Sequence, residues 1–259
     1  LDLVYIPPEL RENRGEIEAA EKGKRRLAFN ELLLLQIKNV YRKLNWQKNR
    51  PVYKFQIDET VIETFISSLP FALTSSQGRG AQEILEDLGK NIPMNRLLQG
   101  DVGSGKTVVA AIAAYASFTN GYETIFMAPT QILAQQHFET LTGLFKSFGI
   151  KTSLVTSETK KSEVKKANIY VGTHALIHEK VNFSEVGLVV IDEQHRFGVE
   201  QRAHLVKKAG RKTVSPHVLT MTATPIPRTV ALTFYGDLDL STITELPAGR
   251  KRITTWIVP

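Results

Sequence analysis

The 259-residue sequence contains no cysteine, which excludes disulfide bonds and any zinc site built from thiolates. It also lacks an uninterrupted apolar stretch of about twenty residues, the length that a membrane-crossing helix requires. We recognise no signal peptide, internal repeat or low-complexity tract. Apolar residues nonetheless make up 42% of the chain. We therefore expect a soluble, cytoplasmic globular protein with a sizeable core and no membrane partner.

Basic residues are in surplus, with 33 Lys and Arg against 26 Asp and Glu, giving a formal net charge of +7. Basic clusters recur at residues 22–26, 160–166, 207–212 and 250–252. Any one cluster is more simply explained as a solvated helix end or loop. The summed charge carries more weight, and it favours a polyanionic partner.

The first fifty residues differ in pattern from the remainder. Residues 1–23 contain Pro7 and Pro8 and little periodicity, so we predict an irregular arm; the first residue, Leu1, suggests a piece of a longer protein or a processed one. From residue 24 to about residue 48, apolar side chains recur at helical spacing, which predicts one long amphipathic connector helix. Pro51 lies where this pattern breaks.

After a second helical pattern at residues 58–68, apolar runs of strand length alternate with helical segments. The predicted strands are residues 96–99, 124–128, 152–155, 169–171, 188–192 and 218–222. This alternation is typical of an α/β fold with a mostly parallel sheet flanked by helices. Ligands bind beyond the carboxyl ends of the strands in such folds, so we expect the chemistry in the loops there.

Residues 100–107 read Gly-Asp-Val-Gly-Ser-Gly-Lys-Thr, a phosphate-binding loop between a predicted strand and a predicted helix. Such a loop binds a nucleoside triphosphate through backbone N–H groups, a lysine and a hydroxyl that reaches Mg²⁺. Lys106 supplies the cation and Thr107 the hydroxyl. The remaining nucleotide-binding residues of the loop are Gly100, Gly103, Ser104 and Gly105.

Asp192 and Glu193 follow the fully apolar run at residues 188–191. An Asp-Glu pair alone is more often a solvated turn, but after a buried strand in a chain with a phosphate loop it indicates the second half of a nucleotide site. Asp192 suits Mg²⁺ binding, and Glu193 suits orientation or deprotonation of the attacking water.

Several segments together resemble superfamily 2 helicases, and most closely the RecG family of ATP-dependent DNA helicases. Residues 192–199, Asp-Glu-Gln-His-Arg-Phe-Gly-Val, resemble motif II, and residues 99–107 resemble motif I. Residues 128–137, 172–176 and 221–229 resemble motifs Ia, Ib and III, and residues 69–77 are similar to the adenine-recognition segment. The matches run in the order expected for the family, which makes the resemblance specific.

The resemblance implies a RecA-like domain that binds ATP and Mg²⁺, acts on branched DNA such as forks or Holliday junctions, and works as a monomer. Gln77 would bind adenine, His195 would sense the γ-phosphate, and Lys106, Asp192 and Glu193 would be catalytic. The residues expected to touch a DNA strand are Thr130, Gln131, Thr173 and His174. Coupling of nucleotide to DNA would involve Gln194, Thr222 and Thr224.

The same resemblance divides the chain into a connector at residues 1–50, a first motor domain at 51–247, and a crossing to a second motor domain at 248–259. The family's arginine finger belongs to that second domain, so we expect the isolated chain to hydrolyse ATP poorly. Two alternatives stay open. One is a transcription-repair coupling translocase, although that resemblance would place Glu at Gln194; the other is a non-catalytic module that binds nucleotide and DNA.

Overall fold

The structure is a computed structural model, and it describes residues 14–47, 52–159, 164, 166–177, 181–193, 208–209, 214–224, 236 and 238–247. The helices are α1 (Arg14–Gln47), α2 (Glu59–Ser67), α3 (Ser75–Leu88), α4 (Lys106–Thr119) and α5 (Gln131–Phe145). The strands are β1 (Asn95–Gly100), β2 (Glu123–Met127), β3 (Thr152–Val155), β4 (Ile169–Gly172), β5 (Val186–Asp192), β6 (His217–Thr222) and β7 (Asp239–Ile243). One 3-10 turn, Lys146–Phe148, comes directly after α5, and another, His174–Leu176, comes after β4.

Within the described residues the strands form one seven-stranded sheet in the order β3-β4-β2-β5-β6-β1-β7. Every pairing between neighbouring strands is parallel. The predicted α/β fold is therefore confirmed, as are the six predicted strands. Strand β7 was not predicted; it pairs with β1 at the sheet edge, with Leu97 opposite Leu240.

Alternate side chains of the central strands enter two cores, because successive residues of a strand point to opposite faces. One face of the sheet packs against helices α2, α3 and α4. The strand residues on this face include Leu98, Phe126, Val190, Leu219 and Met221. The other face includes Ile125, Met127, Val189, Ile191 and Val218. Burial on both faces explains the apolar run at residues 188–191 of β5, and Asp192 follows this run at the carboxyl end of the strand.

Helix α1 begins at Arg14, so the prediction of an irregular arm is wrong for residues 14–23. These residues are mostly good helix formers, and Glu18 pairs with Lys22 one turn later at 3.1 Å. They carry no apolar stripe, which is why periodicity alone did not find the helix. Residues 1–13 and 248–259, on which the arm and the crossing segment were also predicted, lie outside the described residues.

The chain divides into two compact units, one of residues 1–45 with 227–237 and one of residues 46–226 with 238–259. All seven strands belong to the second unit. None of the helices described above combines the length and the apolarity that a membrane crossing requires.

Candidate functional site

The predicted phosphate loop connects β1 to α4, as the sequence requires. Its glycines fit their surroundings closely, since a Cβ on Gly100 would lie 2.5 Å from Ser104 Oγ. Gly105 has φ +89°, a left-handed conformation that favours glycine, and a Cβ there would clash with Gln77 Nε2. Helix α4 begins at the next residue, so its N-terminal N–H groups are available to an anion at the loop.

Lys106 lies inside the loop rather than extending into solvent. Its ammonium donates to the carbonyl oxygens of Gly100 at 2.8 Å and Asp101 at 2.9 Å. Burial lowers the pKa of Lys106, while the negative charges of Asp192 and Glu193 oppose the shift. The cation therefore lies within electrostatic reach of the motif II carboxylates, and incoming phosphate oxygens could replace the two carbonyls as its partners.

The loop hydroxyls have a different environment. Ser104 is 1% exposed, and its Oγ has no hydrogen-bond partner among the described residues. Buried hydroxyls in proteins are usually paired, so this oxygen is suited to a group that enters the loop. Thr107, the predicted Mg²⁺ ligand, lies half-buried in the first turn of α4. The loop thus offers a cation, a helix N-terminus and hydroxyls in one place, which fits a metal-bound polyphosphate.

Gln77 joins helix α3 to the loop. Its Oε1 accepts from Thr74 N at 2.9 Å, which completes a capping box at the start of α3. Its Nε2 donates to the carbonyl oxygen of Ser104 at 2.7 Å. Both ends of the predicted adenine-binding amide are therefore engaged with the protein, and the side chain is 1% exposed.

The two motif II carboxylates lie at the carboxyl end of β5, and their negative charges act on the Lys106 ammonium. Asp192 Oδ1 accepts from Glu193 N at 3.0 Å. Glu193 has φ +52°, which is unusual for a residue with a side chain. Its Oε1 accepts from Ala223 N at 3.2 Å, in the segment that follows β6. The left-handed backbone thus turns the glutamate towards the predicted motif III.

His137, for which no role was predicted, contacts Asp192 of this pair. It lies on α5, and its Nε2 is 2.7 Å from Asp192 Oδ2. The imidazole also packs at a tilt on Phe126 of β2, with 4.7 Å between ring centroids. Ala134, His137 and Leu141 share the inward face of α5. A histidine on the otherwise apolar face of an amphipathic helix was the available sequence signal.

Of the predicted coupling residues, the structure describes Thr222 and Thr224. Thr222 ends β6, and its Oγ1 accepts from Thr224 N at 3.2 Å. Thr222 is buried and Thr224 is exposed. Gln194 and His195 lie outside the described residues, so their predicted roles stay predictions.

The four predicted DNA contacts follow β2 and β4, two neighbouring strands, at the same sheet edge. Thr130 caps α5 by accepting from Leu133 N at 3.3 Å, and both Thr130 and Gln131 are exposed. His174 is also exposed, whereas Thr173 is 3% exposed and its Oγ1 is unpaired within the described residues. A DNA strand at this edge could therefore reach Thr130, Gln131 and His174, whereas Thr173 lies beneath the surface.

The sequence profile of the DEAD/DEAH box helicase family matches residues 74–233. Among curated proteins, ATP-dependent DNA helicase RecG of Aquifex aeolicus is 48% identical over 89% of this chain, and that of Bacillus subtilis is 47% identical over 93%. The matches cover 30% and 36% of those two proteins. The chain thus spans about a third of the length of these relatives. The resemblance read from the motifs is confirmed.

Among solved structures, RecG bound to a three-way DNA junction matches with a TM-score of 0.77 and 43% identity, over 90% of this chain and 32% of that chain. The DEAD-box splicing factor Prp28 of yeast matches with a TM-score of 0.57 at 18% identity, over 77% of this chain and 52% of that chain. At that identity the second match concerns the fold alone.

Proposed function

Because this chain belongs to the DEAD/DEAH box helicase family, whose members use nucleotide, we propose that it is the ATP-binding motor domain of a DNA helicase that remodels branched DNA by ATP hydrolysis. The observation that carries the proposal is the meeting of two halves of a site at one sheet edge. Lys106 lies in the loop at the start of α4, and the negative charges of Asp192 and Glu193, at the end of β5, act on its ammonium.

In this proposal Lys106 exchanges its carbonyl partners for the β- and γ-phosphates, and the N–H groups at the start of α4 bind the same anion. Thr107 and Asp192 would hold Mg²⁺, which when bound neutralises charge on the phosphates. Glu193 would accept a proton from the water that attacks the γ-phosphorus. Glu193 Oε1 accepts from Ala223 N, so the predicted motif III segment would contact that base.

Gln77 would read adenine in addition to supporting the loop. The Gln77 amide already donates to Ser104 O. An adenine that bonds to the same amide would therefore also affect the phosphate loop through that bond. This arrangement provides one physical route by which the identity of the base affects the phosphate site.

Two features support DNA as the proposed partner. Three of the predicted contact residues lie exposed at one sheet edge, and helix N-termini and hydroxyls there suit phosphate contacts that carry no sequence information. The solved relative, RecG, was bound to a three-way junction, which supports branched DNA as the partner class here.

ATP turnover by the full-length protein that contains this chain tests the proposal, measured without DNA, with a blunt duplex and with a forked duplex of the same length. We expect the fork to stimulate turnover most, and we expect Glu193→Gln to abolish the stimulation. Equal stimulation by blunt and forked DNA would favour a duplex translocase of the coupling type. Nucleotide binding without any turnover would favour a binding module.

A further inference from the structure

The contact between His137 and Asp192 joins the proposed metal-binding carboxylate to helix α5, whose N-terminal end carries the predicted DNA contacts Thr130 and Gln131. The distance from His137 Nε2 to Asp192 Oδ2 is 2.7 Å, and the two side chains are only 12% and 10% exposed. A bond this short between poorly solvated groups is held more firmly than a surface pair. An ionised carboxylate can only accept, so the imidazole presents an Nε2–H towards it.

Asp192 is fixed through both oxygens. Oδ1 accepts from Glu193 N at 3.0 Å, and Oδ2 accepts from His137. A carboxylate has about four acceptor sites, so each oxygen keeps a lone pair for a metal ion or its water. The histidine therefore limits rotation of the carboxylate without consuming its capacity to bind metal.

His137 is itself held in place by its helix and by β2. Its ring packs on Phe126, whose strand neighbours β5. Helix α5 begins directly after its N-cap, Thr130, seven residues before His137. Two helical turns span about 10 Å, so the exposed N-terminal end of α5 and the imidazole lie along one rigid element.

We propose that His137 is a positioning residue for Asp192, through which helix α5 sets the orientation of the carboxylate that receives Mg²⁺. The inference rests on the proposed function, since it assumes that this site binds ATP with Mg²⁺. Residues that orient metal ligands in this way are known to change metal affinity about 10- to 100-fold when removed.

The test measures affinity for a fluorescent ATP analogue across a Mg²⁺ titration, with this chain and three variants. His137→Ala removes the donor, His137→Gln retains an amide N–H at similar reach, and Thr140→Ala alters an exposed residue of the same helix as the matched control. We expect His137→Ala to need about 10- to 100-fold more Mg²⁺ for half-maximal binding. His137→Gln should recover most of the loss, and Thr140→Ala should match the wild type.

Two further measurements separate positioning from a purely structural role. Thermal unfolding without nucleotide should give a midpoint for His137→Gln close to those of the wild type and of Thr140→Ala. In ¹⁵N-histidine-labelled protein, the resonances lost in His137→Gln identify His137, and we expect the Nε2-protonated form in the wild type and a changed Nε2 shift in Asp192→Asn.

The possible results are distinguishable. Wild-type Mg²⁺ dependence in His137→Ala would overturn the inference and leave the proposed function intact. Equal loss in the Ala and Gln variants, with lowered unfolding midpoints, would also overturn it, because that pattern belongs to a packing residue. Failure of the wild-type chain to bind the nucleotide at any Mg²⁺ concentration would overturn the proposed function and, with it, the inference.

Discussion

Gln77 Nε2 donates to Ser104 O over 2.7 Å, which ties the first turn of α3 to the phosphate loop. The same amide completes the capping box with Thr74, so one buried side chain supports both the helix start and the loop. A residue placed in this way affects the phosphate site whether or not it also touches a base.

For Gln77→Ala we expect weaker binding of both ATP and inorganic tripolyphosphate. Loss of one buried hydrogen bond to the loop corresponds to about a tenfold loss of affinity. ATP should lose more than tripolyphosphate, because the proposed adenine contact is lost as well. Calorimetric titration of both ligands measures the difference, and unchanged tripolyphosphate affinity would show that the bond to Ser104 does not support phosphate binding.

In the full-length protein, Glu193→Gln should bind ATP nearly normally while turnover falls by about 10²- to 10⁴-fold, since the amide keeps the shape but cannot accept a proton. Asp192→Asn is the informative contrast. This variant should reduce both the nucleotide affinity and the effect of Mg²⁺ on that affinity, because it removes a charge from the proposed metal site. Steady-state turnover with parallel binding titrations checks both, and wild-type rates in both variants would refute the assigned roles.

His217 should make the stability of the fold sensitive to mild acid. Its Nδ1 accepts from Met94 N at 3.0 Å, its Nε2 donates to Tyr53 O at 2.7 Å, and burial lowers its pKa to about 4. Between this value and the ordinary pKa of 6.5, the unfolded chain binds more protons than the folded one. Stability from the neutral imidazole is therefore present above pH 6.5 and is lost as pH falls towards 4.

The expected loss between pH 7 and pH 5 is about 2 kcal/mol from this group alone. His217→Asn retains an acceptor near Nδ1 and does not titrate there. It should be less stable at pH 7 because it loses packing on Phe55, yet its stability should fall less steeply with acid. Urea unfolding at several pH values measures the two slopes, and parallel slopes would contradict the assignment.

DNA binding by this chain should be weak, insensitive to base sequence and steeply weakened by salt, because the expected contacts are to phosphates. Fluorescence anisotropy of two labelled strands of unrelated sequence, titrated at several salt concentrations, provides the test. A strong preference for one sequence, or an affinity that does not change with salt, would count against a motor-type contact.

The sequence was most informative where the chemistry is local. The loop at residues 100–107 and the carboxylates at the carboxyl end of β5 each depend on a few consecutive residues, and both lie where the sequence predicted them along the chain of strands and helices. Strand β7 was missed because Asp239 and Ser241 interrupt its apolar pattern at the sheet edge. The bonds from Gln77 to Ser104 and from His137 to Asp192 join residues 27 and 55 positions apart, so they depend on tertiary packing that no local pattern records.

We propose that Lys106 and its loop form the phosphate site. Equilibrium titration of a fluorescent ATP analogue against the wild-type chain and Lys106→Ala provides the most sensitive test of this assignment. We expect saturable binding by the wild type and a loss of about 10- to 100-fold or more in the variant, since a charge-assisted contact to the phosphates disappears. Thermal unfolding provides the control for an intact fold. Equal affinity in a folded Lys106→Ala variant would show that this loop is not the phosphate site.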